Sequence, residues 1–341
     1  MFSDLSFAVL ISILAGTALV ILICGLRMTA LADRLADRTG LGEALVGGVL
    51  LGAATSLSGT VVSATAALDG RASLAFSNGI GGIAAQTAFL ALADLLHRRA
   101  NLEHAGADLS NVFQGTLLML MLALPFVAYT LPDFAVWSVH PASVMLLVVY
   151  IGGVYATNRV REDPMWHPVR TDETREDTPD EGDDDARSTA LLFLAFGGLV
   201  AAMGVAGWTL SNAAAELTDR YRLSASLVGA LMTAVITSLP ELVTTFAAVR
   251  RGALQMAIGG IIGGNTFDVL FLTVSDIGYR DGSIYHAIGK DDLFWLTTGM
   301  TMTAILTLGM LYRQRQGPAG IGIESILLLL VYGGAVAVQA I

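Results

Sequence analysis

The chain has 341 residues, 54% of them apolar and only 14% charged, with a mean hydropathy of +0.66. A soluble globular domain carries about 25% charged residues, so this composition excludes an ordinary soluble enzyme and indicates a membrane protein. The net charge of −10 excludes a basic nucleic-acid surface, and the single cysteine, Cys24, lies in an apolar run and excludes a disulfide framework or a Cys-based zinc site.

Runs of about 20 mostly apolar residues read as transmembrane helices. In chain order they fall at 5–26, 44–68, 72–93, 109–131, 134–157, 188–210, 224–249, 254–277, 293–312 and 319–341, which makes ten. The first is read as a retained helix and not a cleaved signal. Asp4 stands where a signal peptide is basic, and the apolar run exceeds a signal core. Positive residues set orientation. Loops after the odd-numbered spans hold fourteen arginines; loops after the even-numbered spans hold Arg71, Arg220, Arg222, Arg280 and Lys290. The odd loops are therefore expected in the cytoplasm, with both termini outside a multi-pass protein of the cell membrane.

Residues 158–187 carry eleven Asp or Glu, five Arg and Pro164, Pro168 and Pro179. This acidic stretch reads as a cytoplasmic linker with local disorder, between a first half (1–157) and a second half (188–341). Lys290 is the only lysine, and an acidic, lysine-poor chain suggests adaptation to high salt.

Residues 41–94 align without gaps on 223–276, at a constant offset of 182. Thr55-Ser56-Leu57 falls on Thr237-Ser238-Leu239, and Ile80-Gly81-Gly82 on Ile262-Gly263-Gly264. Each half carries five spans. Because five is odd, the second half crosses in the opposite sense. The expected fold is thus an all-α membrane protein with ten transmembrane helices in two five-helix inverted-topology repeats, a plan used by secondary transporters with a midplane site.

Two carboxylates, Glu241 and Asp268, lie well inside apolar spans. Each costs about 2.5–3.5 kcal/mol at a helix centre on insertion scales, and no Lys or Arg in the spans can pair with them. A bound cation is the natural compensation. Thr237 and Ser238 lie four and three residues before Glu241 and share its helix face. Pro240 lacks an N–H and is expected to free the carbonyl of Ile236 and loosen that of Val235. Hydroxyls, carbonyls and a carboxylate are the hard oxygen donors that Ca²⁺ or Na⁺ requires. Before Asp268 come Gly259, Gly260, Gly263 and Gly264, then Asn265; the glycines allow either close helix approach or a break with exposed carbonyls. Glu43 and Glu324, near span ends, read as solvated at the interface, as do the scattered His97, His104, His140, His167 and His286.

TSLPELVTTFAAVRRG followed by GGIIGGNTFDVLFL resembles the second alpha-repeat of the sodium/calcium exchanger family, within the cation/Ca²⁺ exchanger superfamily. The resemblance implies ligand roles for Thr237, Ser238, Glu241 and Asp268. The first copy departs from the family pattern. Ser58 and Gly59 stand where the family has Pro and Glu, and Gln86 stands opposite Asp268. The first half then keeps Thr55, Ser56 and Gln86 as neutral donors, with Ser58 or Ser63 as substitutes for the missing acid. Two carboxylates balance one Ca²⁺, two Na⁺ or protons; a third would permit a larger coupled charge.

The function implied is a secondary active antiporter, sodium/calcium or proton/calcium, alternating access around the carboxylate site. The alternative is a transporter or uniporter for another cation on the same scaffold. Its partners are inorganic cations and the lipid bilayer, with no cofactor and no nucleic acid, and a monomer suffices to form the site. An intramembrane enzyme is disfavoured: the stretch before Asp268 lacks the Gly-x-Gly-Asp form of a presenilin-like protease, and the chain has no His-Glu-x-x-His motif.

Overall fold

The computed structural model describes residues 5–39, 54–97, 100–171, 189–317 and 321–339. Among these the only β feature is an isolated bridge between Val136 and Val139. The helices, in chain order, are α1 (Phe7–Thr39), α2 (Leu57–Leu68), α3 (Ala72–Leu96), α4 (Leu102–Ala105), α5 (Leu109–Thr130), α6 (Pro141–Glu162), α7 (Thr189–Tyr221), α8 (Ala225–Thr237), α9 (Leu239–Arg251), α10 (Leu254–Asp268), α11 (Leu270–Gly278), α12 (Ile284–Ala287), α13 (Lys290–Tyr312) and α14 (Ile323–Gln339). Six helical stretches among the described residues are long and apolar enough to cross a bilayer, or seven if the bent pair α8–α9 is one span. That is fewer than the ten expected. Helices α2 and α14 are apolar but shorter, and the start of the span ending in α2 lies in residues 40–53, outside the described residues, together with Glu43 and the opening of the first repeat copy.

Two 33-residue helices, α1 and α7, pack against each other. Both outrun their expected spans. Met28 near the middle of α1 joins the core formed with α7, and Leu31 and Leu35 keep packing on Leu192, so a buried stripe continues past residue 26. Their outer faces expose Leu19, Leu194 and Val205, apolar surface suited to lipid. Helix α3 runs through the middle of the bundle, against α2, α8, α13 and α14. At Gly81 it meets the Ala230 backbone of α8 directly, and no side chain would fit there.

Helix α8 contains a wide turn, Val228–Thr233, with π-type spacing, a feature often found near functional sites. It ends at Ser238 (φ −93°, ψ 4°), and α9 leaves at 49°. Pro240 lies in the first turn of α9, where its missing N–H is no loss. The first copy breaks at the equivalent residue without a proline: Ser56 (φ −84°, ψ 0°) precedes α2. The N–H of Thr60 then reaches the Ser56 carbonyl at 2.9 Å, just as Leu242 reaches Ser238 at 3.2 Å. The glycines of α10 leave its helix unbroken; the interruption falls after Asp268, at Val269.

The expected span at 134–157 begins only at Pro141. His140 caps α6 by accepting from Ala142 N at 3.1 Å, while residues 136–139 turn back through Trp137 and Ser138 at positive φ. The expectation of disorder from residue 158 fails at its start. Helix α6 continues to Glu162, and the following segment is pinned by Arg313 Nη1 donating to the Val169 carbonyl (2.6 Å) and by a His104–Thr171 hydrogen bond (3.0 Å). The rest of the linker, from residue 172, lies outside the described residues.

Two polar clamps tie the helix ends together. At the end of α3, Asp94 accepts from the backbone N–H of Leu102 (2.8 Å) and of Gly322 (3.1 Å). In α11, Asp276 accepts from the N–H of Ile284 (3.0 Å) and of His140 (2.7 Å), and from Ser143 Oγ (2.7 Å). Asp276, Ile284 and Gly322 each lie 182 positions after Asp94, Leu102 and His140. The same offset relates Ser143 to Ser325 and Glu103 to Tyr285. Ser143 bonds the Tyr285 hydroxyl (2.8 Å), and Ser325 donates to Glu103 (3.5 Å). Glu324, His104 and His140 are buried here and are not solvated at an interface. For Glu324 the cause is local. Gly309 packs on its stem, and a Cβ on Gly322 would stand 3.2 Å from its Oε2.

Candidate functional site

The seven residues singled out in the sequence are all buried, on the two broken helices and on α3 and α10. Asp268, the last residue of α10, accepts from Ser56 Oγ at 2.5 Å and from Gln86 Nε2 at 2.7 Å. The Gln86 amide also donates to Ser238 Oγ at 3.2 Å. Thr55 hydrogen-bonds the Glu241 carboxyl, and Asp268 lies within electrostatic reach of it. Thr237 Oγ1 donates back to the Ala234 carbonyl at 3.1 Å, which leaves its lone pairs free to face the site. The break at Ser56 and the break at Ser238 therefore bring hydroxyls from both halves to two carboxylates that come from the second half alone.

Two glycines border these groups. A Cβ on Gly82 would lie 3.6 Å from Ser238 Oγ and 3.8 Å from Asp268 Oδ2, and one on Gly264 would lie 3.4 Å from Gln86 Oε1. Of the α10 glycines only Gly259 stands in close approach, its added Cβ 2.8 Å from Asn111 Oδ1, whereas Gly260 has nothing within 4 Å.

Several oxygens in this region lack hydrogen-bond partners: Glu241 Oε2, Gln86 Oε1, Ser58 Oγ and Asn265 Oδ1. Buried polar atoms are normally satisfied. A cluster of unsatisfied acceptors beside two carboxylates, with no cationic side chain in contact, suits a dehydrated metal ion as ligand. Among the described residues no three His, Cys, Asp or Glu side chains gather in a metal-binding arrangement; the carboxylates here are two, Glu241 and Asp268, among neutral oxygens. Ser63 is not free to substitute for the missing acid. It donates to the Ala75 carbonyl (3.0 Å) and accepts from Asn78 (2.9 Å).

The residues that went unsingled in the sequence are Asp94 and Asp276, buried at span ends. Their signal was present: they are the final identity of the two aligned repeat copies. Phe271, three residues after Asp268, also borders the site, against Gly59 and Gly79.

The sequence matches the sodium/calcium exchanger protein family over residues 9–157 and 190–341. The chain belongs to that family. CaxA of Alkalimonas amylolytica is 25% identical to this family member over 311 residues, 89% of this chain and 90% of that one. The fold is similar to that of the H⁺/Ca²⁺ exchanger CAX, with a TM-score of 0.67, 13% identity and coverage of 97% of this chain and 85% of the other. It is also similar to that of the sodium-calcium exchanger NCX_Mj, with a TM-score of 0.60, 18% identity and coverage of 95% and 98%. Both likenesses concern the fold. The family member is therefore a membrane-embedded cation transporter, multi-pass and nearly all-helical.

Proposed function

We propose that the chain exchanges Ca²⁺ for Na⁺ or H⁺ across the cell membrane by alternating access around Glu241 and Asp268. The observation that carries this reading is the pair of buried carboxylates from the second half, ringed by Thr55, Ser56 and Gln86 from the first and by Thr237 and Ser238, with acceptor oxygens left unsatisfied. In this reading Glu241 and Asp268 neutralise the ion. The hydroxyls and the Gln86 amide oxygen replace part of its water, and further water completes the six to eight oxygens that calcium prefers. Competing ions that need the same two charges cannot bind together, which couples their fluxes.

The ten apolar segments then form two five-helix halves, 1–157 and 188–341, of opposite sense, joined by the cytoplasmic linker 158–187, with both termini outside. The shared offset of 182 in the two clamps supports this plan, since it extends the repeat from residue 94 as far as residue 143. The pair α1–α7 is the natural moving part, because it packs mainly in a smaller core distinct from the main one, shared with α2 and α8, and its outer faces are exposed. That NCX_Mj and CAX are described as sodium-calcium and H⁺/Ca²⁺ exchangers supports calcium as cargo. The site lies within one chain, so a monomer is sufficient.

The test is ⁴⁵Ca uptake into proteoliposomes that are sodium-loaded or subjected to a pH jump. Wild type is expected to accumulate calcium under at least one gradient, and Glu241→Gln under neither. If no gradient moves calcium in wild type, or if Glu241→Gln matches it, calcium exchange is refuted; a cation screen by thermal shift then identifies another cargo.

A further inference from the structure

The two repeat copies differ most where Glu241 of the second meets its counterpart in the first, Gly59. A Cβ built on Gly59 would lie 2.6 Å from Phe271 Cε2, 3.0 Å from its Cζ and 3.6 Å from Thr237 Oγ1. The Phe271 ring therefore fills the room that any side chain at 59 would need, at the edge of the site. The ring is not free to leave. Phe271 is 4% exposed, and its stem lies against Gly79, whose added Cβ would come within 3.3 Å of Phe271 Cβ. Beside it Asn78 Nδ2 donates to the Gly59 carbonyl at 3.1 Å, while Asn78 Oδ1 and Ser58 Oγ have no partner. The first half thus keeps polar oxygens around a position closed to a third acid.

Resting on the exchange reading above, we propose that Phe271 is a specificity-determining plug: it bars a third carboxylate from the first half, so the site cycles one divalent cation against two monovalent ones and moves no net charge. The charge balance follows from burial. An ion load that differs from the two fixed negative charges leaves an uncompensated charge in a low-dielectric site, which is strongly disfavoured.

The experiment uses the full chain in liposomes, with the membrane potential clamped by potassium and valinomycin and the final ⁴⁵Ca gradient as readout. Each net charge moved would shift that gradient roughly 50-fold per 100 mV. Wild type is expected to show no such shift. The double variant Gly59→Glu/Phe271→Gly, with room and a third acid, is expected to bind one more monovalent ion per chain than wild type, titrated as ²²Na⁺ or as protons bound at saturation. A potential-driven wild type, or a folded double variant that binds no further monovalent ion, overturns the proposal. A thermal cycle keeps the plug testable if the double variant does not fold. Gly59→Ala should lower Tm in wild type and leave it unchanged on a Phe271→Ala background; equal losses in both backgrounds overturn the plug. Absence of transport by wild type under every gradient overturns the exchange reading and the charge balance with it, and the thermal cycle then decides the plug alone.

Discussion

Replacing Asp268 by asparagine separates the ion from the fold. In the wild type both carboxylate oxygens accept hydrogen bonds, from Ser56 at 2.5 Å and Gln86 at 2.7 Å. An asparagine of the same shape keeps one acceptor and turns the other into an NH₂ that meets the Gln86 donor. Rotating the Gln86 amide removes that clash, because its unpartnered Oε1 then accepts from the new NH₂. The Ser238 hydroxyl, which donates as well as accepts, turns its proton to the same oxygen. The net structural cost is two carboxylate hydrogen bonds turned into neutral ones, about 1 kcal/mol each, and relief of the like charge on Glu241 offsets part of it. For the ion the change is far larger. One of two compensating charges is gone, and breaking a buried charge pair costs about 3–5 kcal/mol, or roughly 100- to 4,000-fold in affinity at 1.4 kcal/mol per decade. Purified Asp268→Asn should therefore melt within a few degrees of wild type in chelator. It should need at least about 100-fold more calcium for the same thermal shift, by the mass-action relation between ligand concentration and stability. A calcium dependence within tenfold of wild type would mean that Asp268 does not bear the ion.

Two other outcomes are expected. Burial and the neighbouring Asp94 and Glu324 push the Glu103 carboxyl up from 4.5 to about 8. The folded chain then holds a proton there that the unfolded chain has released, so stability falls as pH rises through that window, at about 1.4 kcal/mol per unit where the difference is complete. Glu103→Gln should raise Tm relative to wild type at pH 8 and change it little near pH 5; parallel melting profiles would refute this. In α1, a Cβ on Gly25 would come 2.5 Å from Pro240 Cγ and 2.8 Å from its Cβ, so Gly25→Ala should wedge the first helix off α9. Slower calcium exchange with the cation-induced thermal shift retained is the expected result, and unchanged exchange rates would refute a tight α1–α9 contact.

The carboxylates of the candidate site were legible because charge is conspicuous in an apolar run: Glu241 and Asp268 could be found by inspection, and the offset of 182 led to Thr55, Ser56 and Gln86. That the structure gathers these side chains follows from periodicity and breaks, both of which leave marks in a sequence. What stayed hidden depends on distant backbone. Asp94 and Glu324 look like ordinary span-end acids until the N–H groups of residues 102 and 322 and the space left by Gly309 and Gly322 are placed beside them. The interruption at Ser56 was invisible for a similar reason, since no proline marks it. The length of α1 and α7 was understated because hydropathy fades before the buried stripe of Leu31 and Leu35 does.

The twin clamps also show how a repeated motif keeps its bonding while the residues around it differ. Each aspartate is held by main-chain amides, which every residue but proline supplies, so selection on the clamp fixes one letter and leaves its neighbours open. Glu103 and Tyr285 occupy matching stations with opposite chemistry on that account. The offset of 182 survives in the bonding of Asp94 and Asp276 while the residues around them differ.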